Sequence, residues 1–370
     1  MVGAGVVGCA TALELARRGV SACLLEAEDE PGLAASGTNS GIVHNGFDST
    51  PGELETRLIL RAAELRPSVA EALGLRIEPR GGLIRPFDAS QRAAIAGLAA
   101  NAARNRVEVE LRDDGSLFVA GESITDPIAY TQALAGAACD HGAELLTNRR
   151  VVAIEPRGDE LEAVDESGGR VRARVVANCA GLYADEVARL AGEDSFEVYP
   201  RKGEFLVFDP PDGERLDHIL LPVPTKRTKG ILVFPTVDGK VVAGPTAVDG
   251  DDKSDWSVRP EAAGEILPKA TEMYPPLEGA DPIAAYAGLR TAGRGAHYLI
   301  EPSASLDGLV NVAAIRSTGL SASLGIGERA AAIVGDMGVA LGEPEPLRPH
   351  RAPPATGAWW RRVAEYRGVA

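Results

Sequence analysis

The sequence predicts an α/β protein: a Rossmann-like dinucleotide-binding unit interleaved with a second domain built on an antiparallel sheet. Three observations carry this prediction. The chain opens on a glycine-rich turn, a helix and an apolar strand that ends in an acid. A second buried-strand pattern, Val175 to Gly181, appears only after a long interruption. From Phe196 to Ala285 short apolar runs alternate with turns, the signature of an antiparallel sheet.

The opening turn reads Gly3-Ala4-Gly5-Val6-Val7-Gly8, a G-x-G-x-x-G pattern. Its first glycine allows a tight turn, its second lets a pyrophosphate approach the backbone, and its third lets the helix pack on the sheet. Ala10 to Arg18 has the spacing of an amphipathic helix and ends at Gly19. Val20 to Leu25 reads as a buried parallel strand, and Glu26 follows it 18 residues after Gly8. That is close to the position of a carboxylate that binds a ribose hydroxyl. Only Met1 and Val2 stand where a strand would precede the turn. The expectation is therefore a chain slightly truncated at its start, with a gap in the sheet beside the nucleotide.

At 370 residues the chain is long enough for two domains. A formal charge of -15 argues against nucleic acid as a partner, since phosphate backbones need clustered Lys and Arg. No apolar run reaches the length of a membrane span, and no signal peptide is visible. The scattered Cys9, Cys23, Cys139 and Cys179 lack C-x-x-C spacing and read as small buried hydrophobes. A cytoplasmic protein is expected, with peripheral association at the inner face of the membrane left open.

After an acidic turn, Ala34 to Phe47 is rich in small and hydroxyl residues and contains His44. Small residues let backbone approach a flat ring, and Ser36, Thr38, Asn39 and Ser40 can donate hydrogen bonds to it. The alternative is a flexible loop, but Ile42 and Val43 have the character of a short strand that would hold His44. Helices are expected over Glu53 to Leu73, over Ala89 to Asn105, and after Asp126-Pro127, where Asp126 is the N-cap. Strands are expected at 143–146 and 151–154, with a hairpin across 161–173 and a tight turn at Val237-Asp238-Gly239-Lys240. The expected division is a dinucleotide domain over 1–75, 140–195 and 286–340, a substrate domain over 76–139 and 196–285, and a surface tail over 341–370.

The longer motifs are Thr38 to Asp48, Arg201-Lys202-Gly203-Glu204-Phe205, Thr228-Lys229-Gly230, Val242 to Ala247, Tyr286-Ala287-Gly288-Leu289-Arg290 and Ile315-Arg316-Ser317. Together with the opening turn they make the chain resemble the glycine/D-amino-acid oxidase superfamily of flavoproteins. Within it the chain is most similar to the glycerol-3-phosphate oxidase/dehydrogenase branch. L-2-hydroxyglutarate dehydrogenases share several of the same motifs, notably Asn39-Ser40-Gly41 through His44. The resemblance implies an FAD-binding domain of the glutathione-reductase type and noncovalent FAD. It implies that Gly3, Gly5, Val6, Val7, Gly8 and Glu26 hold the nucleotide, with Val152 by the adenine and Ala180 and Gly181 by the ribityl–pyrophosphate region. Ser36, Gly37, Thr38, Asn39 and Ser40 would line the isoalloxazine ring. Gly319, Leu320 and Ser321 would start a helix whose dipole faces the flavin N1/O2 edge.

Oxidising a secondary alcohol needs a base within hydrogen-bond reach of the hydroxyl. His44 is the first candidate, with His297 and His218 in reserve; the alternative is a histidine that packs under the ring. An anionic substrate needs fixed cations, and Arg290 and Arg316 follow apolar runs where arginine is otherwise unexpected. Lys229 and Ser317 are further candidates. Structural salt bridges are the competing reading for the two arginines. Three functions follow: oxidation of sn-glycerol 3-phosphate, oxidation of a 2-hydroxy acid or an amino acid, and a noncatalytic flavin-binding subunit. The expected acceptor is oxygen, a quinone or a partner protein.

Overall fold

The computed structural model describes residues 1–210, 215–223, 230–350 and 357–368. The expected nucleotide unit is present. Helix α1 (Val6–Arg17) follows the glycine turn and the strand Cys23–Leu25 follows α1. That strand pairs in parallel with Glu144–Leu146, and Val176–Asn178 pairs in parallel with Leu309–Ala313. Val2 bridges the two pairs, in parallel with both Leu25 and Asn178. The gap expected beside the turn is thus spanned by Met1 to Gly3. The Gly3 N–H donates to Leu25 O at 2.8 Å, and the Cys179 N–H donates to Val2 O at 2.9 Å. Gly3 is required here: its φ is +97°, and a Cβ would stand 2.6 Å from Cys179 O.

Helix α2 (Leu54–Leu73) ends at Gly74 in the left-handed conformation. Helix α3 (Ala89–Arg104) is capped by the Asp88 side chain, which accepts from the Gln91 N–H. Helix α4 (Pro127–Asp140) is capped as expected, Asp126 accepting from the Ile128 and Ala129 N–H groups. Although 76–139 was expected in the substrate domain, α4 packs on α1. Tyr130, Leu134 and Ala138 share a core with Val6 and Leu13. Helix α5 (Ala184–Leu190) follows the Val176 strand, and the strands Val151–Arg157, Glu160–Asp165 and Arg170–Ala173 form an antiparallel meander.

Among the described residues the largest sheet has nine strands. Its longest member, Glu197–Phe208, pairs along most of its length with Ala284–Arg294. So this second strand, expected at the edge of the dinucleotide domain, belongs to the large sheet. The hairpin Leu232–Pro235 to Val241–Gly244 turns where expected, the Thr236 N–H donating to Lys240 O at 2.9 Å. Helix α6 (Ala262–Met273) covers the outer face, with Ile266 packed against Phe208 and Val233. Helix α7 (Gly319–Asp336) runs back against α1 and α2.

The expected surface tail is corrected at its end. Residues Trp359–Tyr366 form helix α8, and Trp359 and Trp360 are 1% and 2% exposed. Trp359 meets the Tyr286 ring edge-on at 5.4 Å, and Trp360 Nε1 donates to Asp238 at 3.1 Å. The proline-rich stretch before α8 interrupts any apolar period, so the sequence pattern gave no sign of this short helix. Among the described residues no helix is long and apolar enough to cross a membrane.

Candidate active site

A cavity of about 480 Å³ lies between the two sheet systems. Two helix N-termini open on it. Gly5, Val6 and Val7 of the α1 turn line one part, and Gly319 and Leu320 of α7 line another. Neither N-cap residue, Gly5 or Thr318, bonds its helix through a side chain, although the Val6 N–H of α1 is taken by Ser36 Oγ. Both ends therefore present N–H groups and a positive dipole end to the cavity, suited to a pyrophosphate at one and an electron-rich ring edge at the other. Gly8 does not line the cavity. Its role is packing, since a Cβ there would collide with the Gly3 carbonyl oxygen.

Glu26 ends its strand beside this turn. Its carboxylate accepts from the Ala4 N–H at 2.5 Å and the Glu28 N–H at 3.0 Å. Burial pushes its carboxyl up, while those two N–H groups act in the opposite direction. Val152 is 45% exposed, a bare apolar surface on the strand that begins just after Arg150. Cys179 and Gly181 line the cavity; Ala180 does not. These features fit FAD: glycines where a Cβ would collide, an acid beside the turn, and two helix N-termini on one cavity.

The loop residues Ser36, Thr38, Asn39 and Ser40 line the cavity, as expected, but their side chains hold the loop itself. Ser36 Oγ accepts from the Val6 N–H at 2.9 Å. Asn39 donates to Ser36 O and accepts from the Gly41 N–H, both at 2.6 Å. Thr38 donates to Ala34 O, and Ser40 accepts from the Ile42 N–H. Gly37 lies behind the loop, where a Cβ would meet Ile128. The strand Ala284–Arg294 presses on this loop: Tyr286 donates to Asn39 O, and Gly288 leaves room for the Thr38 carbonyl. Alternation along a strand then brings Arg290 to the same face.

His44 lines the cavity. Its strand pairs in antiparallel register with Ser123–Thr125, Ile42 opposite Ile124 and Val43 opposite Ser123. The same register sets residue 44 opposite residue 122. His44 Nδ1 lies 2.7 Å from Glu122 Oε2, and the Asn45 N–H donates to Glu122 Oε1 at 2.9 Å. Glu122 is fully buried. The sequence reading missed it, because a lone acid between Gly121 and a short strand carries no local signal. Ser321, expected at the flavin edge, instead accepts from the His44 N–H at 2.8 Å and is buried. The two reserve histidines are elsewhere. His297 Nε2 pairs with Glu55 at 2.8 Å, and His218 Nδ1 bonds Arg80 O at 2.7 Å. Neither lines the cavity.

Arg201, Arg290 and Arg316 all line the cavity. Arg201 and Arg290 are direct partners on neighbouring strands. Arg290 donates to the carbonyls of Arg201 at 3.3 Å, Lys202 at 3.5 Å and Thr246 at 3.2 Å. Among the described residues it has no carboxylate in ion-pair range, whereas Arg201 reaches Asp249 at 3.5 Å. Burial, and then the Arg201 cation, bring the Arg290 guanidinium down to about 10, with Asp249 acting the other way. Arg316 is exposed and has no hydrogen bond or ion pair among the described residues; Ser317 beside it also lines the cavity. Arg294 pairs with Glu197 and Asp251 at the surface. Lys229 lies outside the described residues. Arg201 and Thr246 were visible only as members of longer motifs, not as site residues.

The comparisons with known proteins agree with this geometry. Residues 1–333 match the family described as FAD dependent oxidoreductase. The chain is 28% identical to a glycerol 3-phosphate dehydrogenase of Caloramator mitchellensis, over 95% of this chain and 76% of that one. It is 27% identical to a glycerol 3-phosphate oxidase of Mycoplasma genitalium, over 89% and 92% respectively. Among solved structures it is similar to the dithionite-reduced L-alpha-glycerophosphate oxidase of Mycoplasma pneumoniae with FAD bound. There the TM-score is 0.87 and the identity 25%, covering 95% of this chain and 97% of that one. The chain belongs to the FAD dependent oxidoreductase family, and its cofactor is FAD.

Proposed function

We propose that the protein oxidises sn-glycerol 3-phosphate to dihydroxyacetone phosphate. One observation carries the substrate reading: Arg201 and Arg290 stand directly opposite each other on paired strands, on the cavity that His44 also lines. Like charges in that position repel. Arg290 has no carboxylate partner within ion-pair range among the described residues. A phosphate dianion supplies two charges for two guanidiniums, and arginine forks match phosphate oxygens. The glycerol 3-phosphate relatives support the same choice.

In this reading Arg290 and Arg201 hold the phosphate, with Arg316 and Ser317 at the open side of the cavity. His44 takes the proton from the secondary hydroxyl, so that the C–O bond becomes a carbonyl as the carbon loses its hydride. Bound FAD supplies the two-electron acceptor for that hydride. Phe205, Ile84, Leu221 and Leu232 also line the cavity and keep its wall apolar around the carbon that reacts.

The test is steady-state turnover on a panel of sn-glycerol 3-phosphate, L-2-hydroxyglutarate and glycine, with oxygen and with a soluble quinone as acceptors. Turnover confined to sn-glycerol 3-phosphate supports the proposal. Preference for L-2-hydroxyglutarate or glycine overturns it. The acceptor that sustains turnover decides between oxygen and a quinone, and turnover with neither points to a partner protein.

A further inference from the structure

We propose that Glu122 is a positioning residue that keeps the proton of neutral His44 on Nδ1, so that Nε2 is the atom that receives the substrate proton. The inference rests on His44 acting as the base. Glu122 lies 2.7 Å from Nδ1, and its other oxygen is held by the Asn45 N–H at 2.9 Å. The carboxylate is fully buried and cannot turn to water. The His44 N–H is fixed in turn on Ser321 Oγ at 2.8 Å. Backbone and ring are thus tied at separate points, which leaves the ring little freedom to rotate. Among the described residues Nε2 has no protein partner, and His44 lines the cavity.

Burying an acid on the floor of a site is costly unless its oxygens are satisfied. Here both oxygens are engaged, and the buried Arg66 guanidinium, which donates to Ser321 O at 2.9 Å, is an electrostatic neighbour of Glu122. Imidazole has two nitrogens, and the partner of one decides which carries the proton. An acceptor at Nδ1 selects the Nδ1–H form and leaves a lone pair on Nε2. When Nε2 takes the hydroxyl proton, the carboxylate faces the resulting imidazolium and stabilises it. In the same step the substrate carbon gives its hydride to FAD, so atoms and electrons balance.

Glu122→Gln separates this role from a merely structural one. The amide has one acceptor oxygen for two donors, the Asn45 N–H and His44 Nδ1–H. If the oxygen stays on Asn45, the NH2 faces Nδ1 and favours the opposite tautomer. The experiment uses the full-length FAD-loaded protein with ¹⁵N-labelled histidine, the His44 signals being assigned by their loss in His44→Asn. At a pH where the ring is neutral, the wild type should show a protonated Nδ1 and a bare Nε2. Glu122→Gln should move that pattern toward protonated Nε2. It should also slow the limiting rate of flavin reduction by at least about tenfold, as loss of an orienting partner does. The substrate dissociation constant should stay within about twofold, because the residue does not touch substrate. A wild-type His44 protonated on Nε2 overturns the proposal even if Glu122→Gln fails to fold. So does a folded Glu122→Gln with wild-type tautomer and rate. The tautomer is read without turnover, so a wrong choice of substrate leaves this test intact.

Discussion

Replacing Arg290 with Met tests whether the buried cation is there for an anion. The perturbation keeps an unbranched, flexible side chain, shorter than arginine's, and removes the charge. Its magnitude follows from the site. A guanidinium brought down to about 10 from its ordinary value carries about 3 kcal/mol of unfavourable charge at neutral pH, at 1.36 kcal/mol per pKa unit. The sign is fixed: the folded value of a cation is depressed, so the charged form is penalised throughout the range below about pH 10. A bound phosphate relieves that penalty, which sets the scale of Arg290's share in binding at about 3 kcal/mol, or about 10²-fold in Kd. The contact is made in ground and transition states alike, so the limiting rate should change by no more than a few-fold. Anaerobic stopped-flow measurement of flavin reduction over a range of sn-glycerol 3-phosphate concentrations gives both quantities. An unchanged Kd, or a limiting rate that falls at constant Kd, refutes the reasoning.

Two further outcomes are expected. His44→Asn should slow flavin reduction at saturating substrate by about 10²–10⁴ with little change in Kd, and a parental rate would move the base elsewhere. Trp359→Ala should cost about 3–5 kcal/mol of stability, read by thermal or denaturant unfolding. It should also weaken FAD retention, because Trp359 backs Tyr286, which holds the Asn39 loop. An unchanged unfolding midpoint would show that α8 is not part of the folded core.

The nucleotide half was legible because its physics is local. Gly3 and Gly8 sit where a Cβ would collide with backbone, Glu26 ends an apolar run, and each signal lies within a few residues of the element it serves. His44 was legible for the same reason, standing at the end of a two-residue strand in a loop of small residues. Glu122 was not. It meets His44 through the pairing of Ile42–Val43 with Ser123–Thr125, across 78 positions of sequence. Nothing local marks a register of that separation. The polar side chains of Thr38, Asn39 and Ser40 suggested ring contacts from composition alone; that they also satisfy the loop's own backbone was visible only in the structure. Arg290 was picked out because it follows an apolar run. That Arg201 stands directly opposite it became visible only once the two strands were paired. The buried Trp359 and Trp360 were hidden by the prolines before them.

In the proposed reaction this cavity reduces its FAD at the expense of a phosphorylated secondary alcohol. Anaerobic addition of sn-glycerol 3-phosphate to the purified FAD-loaded protein tests it most directly. The expected result is loss of the flavin's visible absorption and formation of dihydroxyacetone phosphate in equal amount, with no loss on adding glycerol or L-2-hydroxyglutarate at the same concentration. Flavin that stays oxidised with sn-glycerol 3-phosphate but is reduced by L-2-hydroxyglutarate would contradict it.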